Sequence, residues 1–178
     1  MKNFRLFIFL IIIFSVFFNS CKKVDDLLTF EITDEIEITI ENNILPFSLP
    51  FEIPTPPITT NSESEIEQNN SKIEYVKNIK LLELNLTITS PENKTFSFLR
   101  SIHIFISTNN QEEIELAFKD NISSDLKKIE LTTSSAELDD YVKSPTYNIR
   151  TEVVTRETLT QDVDIFVFMK YQITANIF

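Results

Sequence analysis

The chain has no glycine, no tryptophan, one histidine and one cysteine among its 178 residues. Each absence excludes something. Without glycine there is no phosphate-cradling loop, no dinucleotide fingerprint and no Gly-x-Ser-x-Gly nucleophile elbow, and turns must use Asn, Asp, Ser or Pro. Without tryptophan, the exposed aromatic platform that sugar-binding sandwiches most often present is missing. One imidazole (His103) and one thiol (Cys21) cannot form a His/Cys metal cluster. Alanine occurs only at Ala117, Ala136 and Ala175, while Ile, Thr, Val and Phe abound. That balance favours strands over helices.

What is present begins with the N-terminus. Lys2 and Arg5 precede an apolar run of 13 residues, Leu6 to Phe18, and then Asn19-Ser20-Cys21. A basic start, a short apolar core and a small residue before the break make up a secretory signal. The run is short of the roughly 20 residues of a bilayer-spanning helix. A lone cysteine in an exported chain has no internal disulfide partner. Ser20-Cys21 resembles a lipoprotein box, which implies cleavage after residue 20 and acylation of Cys21. The position three before the cysteine holds Phe18 in place of the usual Leu, a departure common in Bacteroidota lipoproteins. The alternative is an uncleaved anchor with an incidental cysteine. Lys22, Lys23, Asp25 and Asp26 follow; they resemble the sorting signal of surface-exposed lipoproteins and read equally as a solvated tether. The expected organisation is therefore a signal over 1–20, a lipidated tether over 21–26 and one domain over 27–178.

Cleavage would leave 158 residues with 14 basic and 27 acidic side chains, a net charge of −13. So acidic a surface repels phosphate backbones and anionic headgroups, which argues against nucleic acid as a partner.

Hydrophobic alternation runs through the remainder. Glu35-Ile36-Glu37-Ile38-Thr39-Ile40-Glu41 marks a half-buried strand within Leu27–Asn42. Pro46, Pro50, Pro54, Pro56 and Pro57 predict an edge strand or a crossover between sheets. Thr59 to Asn70 reads as a short exposed edge strand, and Ser71 to Val76 as a helical turn. Asn78 to Thr89 is the strongest strand, with Leu82, Leu84, Leu86 and Ile88 on one face. Further strands are expected at Ile102–Ser107, Glu112–Lys119 (through an Asn109-Asn110 hairpin), Leu126–Thr132, Thr146–Arg156 and Asp162–Asn176. In the last of these both faces are apolar in the first half, which predicts a central strand covered on both sides. One short helix is expected near 135–143, N-capped by Ser135, with Leu138, Tyr141 and Val142 plugging an open end. The expected fold is all-β: an antiparallel β-sandwich, immunoglobulin-like or related. A twisted sheet or cup around an apolar cavity is the alternative.

Few residues point to chemistry. His103, between Ile102 and Ile104, reads as an ordinary sheet residue, and no base-activated nucleophile is evident. The pairs Asp139/Asp140 and Asp162/Asp164 read as solvated surface; the second pair could join a calcium site, but no EF-hand pattern surrounds it. Tyr141 and Tyr147 are the candidate binding patch, with core packing the favoured reading. No catalytic residue, metal site or cofactor is expected.

From Val76 onward the chain resembles a family of uncharacterised Bacteroidota β-sandwich lipoproteins. Val76-Lys77, Leu82, Leu84, Ile88-Thr89-Ser90-Pro91 and Phe96-Ser97-Phe98-Leu99-Arg100-Ser101-Ile102 carry the likeness, with Asp140-Tyr141 and Glu157-Thr158-Leu159. It implies a β-sandwich lipoprotein and no catalytic residue. The expected role is that of a non-enzymatic protein of the outer membrane or cell surface, held there by its acyl chains, that binds or assists an envelope protein partner. The alternative role is a carrier of a hydrophobic ligand between two sheets, with a cavity lined by Leu82, Leu84, Leu86 and Phe166.

Overall fold

A computed structural model describes residues 29–42, 50–53, 58–59, 62–69 and 71–175. The signal, Cys21 and the tether residues Lys22, Lys23, Asp25 and Asp26 lie outside the described residues. The fold is an all-β antiparallel sandwich of two sheets. The first runs in the order β1 (Thr29–Ile40), β10 (Val163–Ala175), β4 (Val76–Ser90), β7 (Lys128–Glu130). The second runs β2 (Phe51–Ile53), β9 (Thr146–Thr155), β5 (Leu99–Ser107), β6 (Ile114–Lys119), β8 (Thr132–Thr133), with β3 (Ile58–Thr59) also on β9.

Alternation places the core. β10 buries Val163, Ile165, Val167, Met169, Tyr171 and Ile173. It pairs with β1 from Thr29↔Thr174 to Ile40↔Val163. Phe166 and Phe168, in the opposite row, are half-buried. β10 is therefore central to its sheet, as expected, but its outward phenylalanines are only partly covered. β1 forms the edge, where its outward glutamates disfavour pairing with another chain.

The two edges of the sandwich differ. On one side β7 and β8 belong to different sheets and are separated by Leu131 alone, so the chain stitches the sheets together there. Leu131 donates its amide to Leu84 O at 2.9 Å. The single strand expected over Leu126–Thr132 is thus broken by this crossing. On the other side the edges are β1 and β2, joined through the proline-rich segment that the sequence marked as a crossover. Leu131 thus bridges the sheets at one edge, and β1 and β2 flank the other.

Three local expectations need correction. Thr59 to Asn70 does not form a strand; Ser62–Gln68 is a helix, α1, with acidic residues Glu63 and Glu65 in its first turn. Five alternating residues are too few to fix a period, and Glu and Gln are good helix formers. Ile66, fully buried, anchors α1 to the core. The second helix, α2, spans Asp139–Val142 with Leu138 at its N-cap and no side-chain capping bond. Ser135 does not cap it, because residues before the helix bond to strands: Ser134 N–H to Leu116 O and Leu138 N–H to Ile79 O, both 2.9 Å. Leu138, Tyr141 and Val142 are buried against the core, as the plug reading expected. Finally, a bulge between Lys170 and Tyr171 against β4 shifts the register, bringing Leu81 inward and leaving Leu82 38% exposed.

Asn meets the need for left-handed backbone in a chain without glycine. Asn78 and Asn121 adopt φ of 52° and 51°. The β5–β6 loop uses hydroxyl bonding: Thr108 Oγ1 accepts the amides of Asn110 and Gln111 at 3.2 and 3.1 Å.

Candidate binding cavity

Between the sheets, lined on one side by the edge strand β1, lies an apolar cavity of about 240 Å³. The inward row of β1 supplies Ile36, Ile38 and Ile40; β10 supplies Ile165, Val167 and Met169. Across the gap, β9 contributes Tyr147, Ile149, Thr151 and Val153. The cavity reaches the surface beside β1, where Ile38 is 37% exposed. Leu84 and Leu86 line it, but Leu82 and Phe166 are not among its lining residues. The β4 bulge turns Leu82 out, and Phe166 occupies the outward row of β10. A carrier's cavity was expected to use all four.

A second, polar recess adjoins this space at Tyr147. The inward row of β1 reads Ile32, Asp34, Ile36, Ile38, Ile40, so a carboxylate interrupts an apolar series. Asp34, Glu65, Ser62, Tyr147 and Tyr171 line this small recess of about 20 Å³, and Tyr147 also lines the large cavity. Burial raises the Asp34 pKa above the ordinary carboxylate value; the Glu35 amide bond opposes the rise, and the Glu65 charge adds to it. Asp34 Oδ1 accepts that amide at 3.0 Å. Burial also pushes both tyrosine hydroxyls up, with the Asp34 charge contributing to each. The Tyr171 hydroxyl donates weakly to Met169 Sδ at 3.4 Å, and Ser62 donates to Val142 O at 2.6 Å. Among the described residues no cation pairs with Asp34 or Glu65, and the Tyr147 hydroxyl makes no hydrogen bond.

The residues singled out from sequence are dispersed. Tyr147 is buried and lines both the cavity and the recess. Tyr141 is buried in α2 and its hydroxyl donates to Glu112 O at 2.8 Å. They do not form an exposed patch. Asp164 accepts from Thr39 Oγ1, and Asp162 from the Asn42 amide, both at 2.7 Å, so this pair ties β1 to the start of β10. Asp139 accepts the Ile79 amide at 3.2 Å. No metal-binding cluster occurs among the described residues, nor any helix long and apolar enough to cross a membrane.

His103 faces outward from β5 and lines neither cavity. Its Nδ1 lies 2.7 Å from Glu115 and its Nε2 3.5 Å from Asp120. The ring stacks between Phe105 and Phe118, with centroids at 6.5 and 5.6 Å. Arg150 covers Phe105 at 4.1 Å and forms a two-pronged bond to Glu113. The ring faces are taken up by one another, so this cluster offers no open platform for a flat ligand.

Asp34 escaped the sequence reading. Its signal was its parity: it falls in the same row as Ile32, Ile36, Ile38 and Ile40. No protein-family model matches the chain, and no curated protein matches it.

Proposed function

We propose that this protein is a non-enzymatic, lipid-anchored component of a bacterial outer membrane that carries a small hydrophobic ligand between its two sheets. The observation that carries the ligand reading is the apolar cavity of about 240 Å³ between the sheets, lined by the edge strand β1. Engineered apolar cavities of roughly 150 Å³ already hold benzene, and ligand pockets begin near about 300 Å³. A ring system or a short acyl chain suits this range. The anchor reading is supported by Lys2, Arg5, the apolar run and Cys21, whose order matches a lipoprotein signal. Two or more acyl chains, each worth about 0.8 kcal/mol per buried CH₂, hold a protein stably where one does not.

Titration with N-phenyl-1-naphthylamine tests the carrier: saturable enhancement at one site per chain is expected, and no saturable binding refutes it. For the anchor, fatty-acid labelling should mark the wild type and fail with Cys21→Ser; labelling of the variant would remove it. A second reading, an accessory component docking on an envelope protein, is favoured by exposed Leu82 and half-buried Phe166 and Phe168. Co-purification lost on Leu82→Lys would support that reading.

A further inference from the structure

We infer that the ligand is an amphiphilic primary amine, its apolar body in the intersheet cavity and its ammonium group in the recess between Asp34 and Glu65. This rests on the carrier reading and names the class of ligand it would take. Three observations converge. First, Asp34 stands in the inward row of β1, directly between residues that face the apolar interior, and pairs across the sheet with Met169. A carboxylate there loses hydration, a cost that a bound cation offsets. Second, among the described residues neither Asp34 nor Glu65 has a cationic partner, although other inward or half-buried charges do: Lys170 reaches Glu83 at 2.6 Å, and Arg150 reaches Glu113 at 2.7 Å. Third, Tyr147 is 6% exposed, its hydroxyl lacks a hydrogen bond among the described residues, and it lines both spaces. A hydroxyl with no partner among the described residues, on a buried tyrosine that lines both a polar recess and an apolar cavity, suits a ligand's polar head.

Size and charge narrow the head. A recess of about 20 Å³ admits a group no larger than a water molecule, which suits –NH₃⁺ and excludes a quaternary ammonium. An ammonium offers three donors to two carboxylates and a phenolic oxygen. A carboxylate or phosphate head would be repelled by both acids. Calcium sites are built on several converging carboxylates, and among the described residues no group of three or more His, Cys, Asp or Glu side chains comes together. The chain's net charge of −11 also concentrates cations at its surface.

The test compares octylamine, octanol and octanoate as displacers of N-phenyl-1-naphthylamine from the whole protein at neutral pH. Octylamine should displace the probe at about one-tenth the concentration octanol needs, as expected for a charge-assisted bond. Octanoate should be weaker than octanol. Asp34→Asn should abolish the preference for octylamine over octanol, read as the ratio of the two displacing concentrations, and Glu65→Gln, on the separate helix α1, should reduce that ratio in the same direction. Equal displacement by octylamine and octanol in the wild type overturns the amine assignment while leaving the carrier intact. Loss of octanol displacement together with octylamine in Asp34→Asn, with probe binding retained, also overturns it. Absence of probe binding removes the carrier and the amine together.

Discussion

A cavity that can hold a ligand can also hold a larger side chain, so Val167→Phe gives opposite results for an open and a filled core. Val167 lies in the middle of β10, flanked by Ile36 on β1 and Leu86 on β4, and all three line the cavity. Phe adds four carbons, and at about 0.8 kcal/mol per buried carbon the ceiling is ~3 kcal/mol. Ordering the ring costs roughly 1 kcal/mol, and imperfect fit takes part of the remainder. The expected net effect is a stabilisation of about 1–2 kcal/mol. In a filled core the same substitution overpacks and destabilises by about 1–3 kcal/mol. Urea unfolding followed by circular dichroism gives the sign, provided the m-value is unchanged. The ring should also occupy the space of the ligand and weaken probe binding at least tenfold. A destabilised variant that still binds the probe would refute both the cavity and its role.

Three further outcomes follow from named groups. Asn85 is 7% exposed and its Oδ1 has no partner among the described residues, so Asn85→Leu should raise stability by about 1 kcal/mol in urea unfolding. Phe98 is 1% exposed beside Phe96 in the core, and Phe98→Ala should cost about 3–5 kcal/mol, measured by thermal or urea unfolding. Burial alone lowers the His103 pKa, but bonds to Glu115 and Asp120 outweigh it and hold it above 6.5. The stabilisation from charged His103 is then complete below the unfolded value and disappears as pH rises through the folded one. His103→Gln should therefore cost about 0.5–1 kcal/mol near pH 5.5 and close to nothing at about pH 9. A cost that did not change with pH would show that the ion pairs contribute nothing.

The strands that dominate the fold are those whose alternation runs longest. β10 alternates over thirteen residues, and its register with β1 follows from burying one row. Where the pattern was short or locally broken, sequence was a poorer guide. The bulge that exposes Leu82 leaves no mark in a run of apolar residues, because Leu81 and Leu82 are chemically identical and either can face in. Glu63 to Glu67 alternates and yet coils, since one buried isoleucine satisfies a helix as well as a strand. The cavity was legible only in part: Leu84 and Leu86 line it as the carrier alternative expected, while Leu82 and Phe166 do not. Its volume is the mismatch between inward rows contributed by strands more than a hundred residues apart in the chain, such as β1 and β9.

Asp34 joins these scales. In β1 the inward positions are fixed by Ile32, Ile36, Ile38 and Ile40, and a single acidic residue in that row would ordinarily be selected against on stability grounds. Its position at an edge strand lowers the cost, because one flank of the carboxylate is not enclosed by a neighbouring strand. β1 thereby carries both the acid and, four residues on, the exposed Ile38, so in the proposed carrier one strand would bear the head-group site and the cavity's exposed rim. β1 is also the first strand after the tether. Seven residues lie between Cys21 and Thr29, a reach of at most about 28 Å over eight Cα–Cα steps when fully extended. With Cys21 acylated, so short a tether would keep the domain near the bilayer, and deleting residues 24–27 should change the rate of uptake from vesicles but leave affinity in solution unaltered.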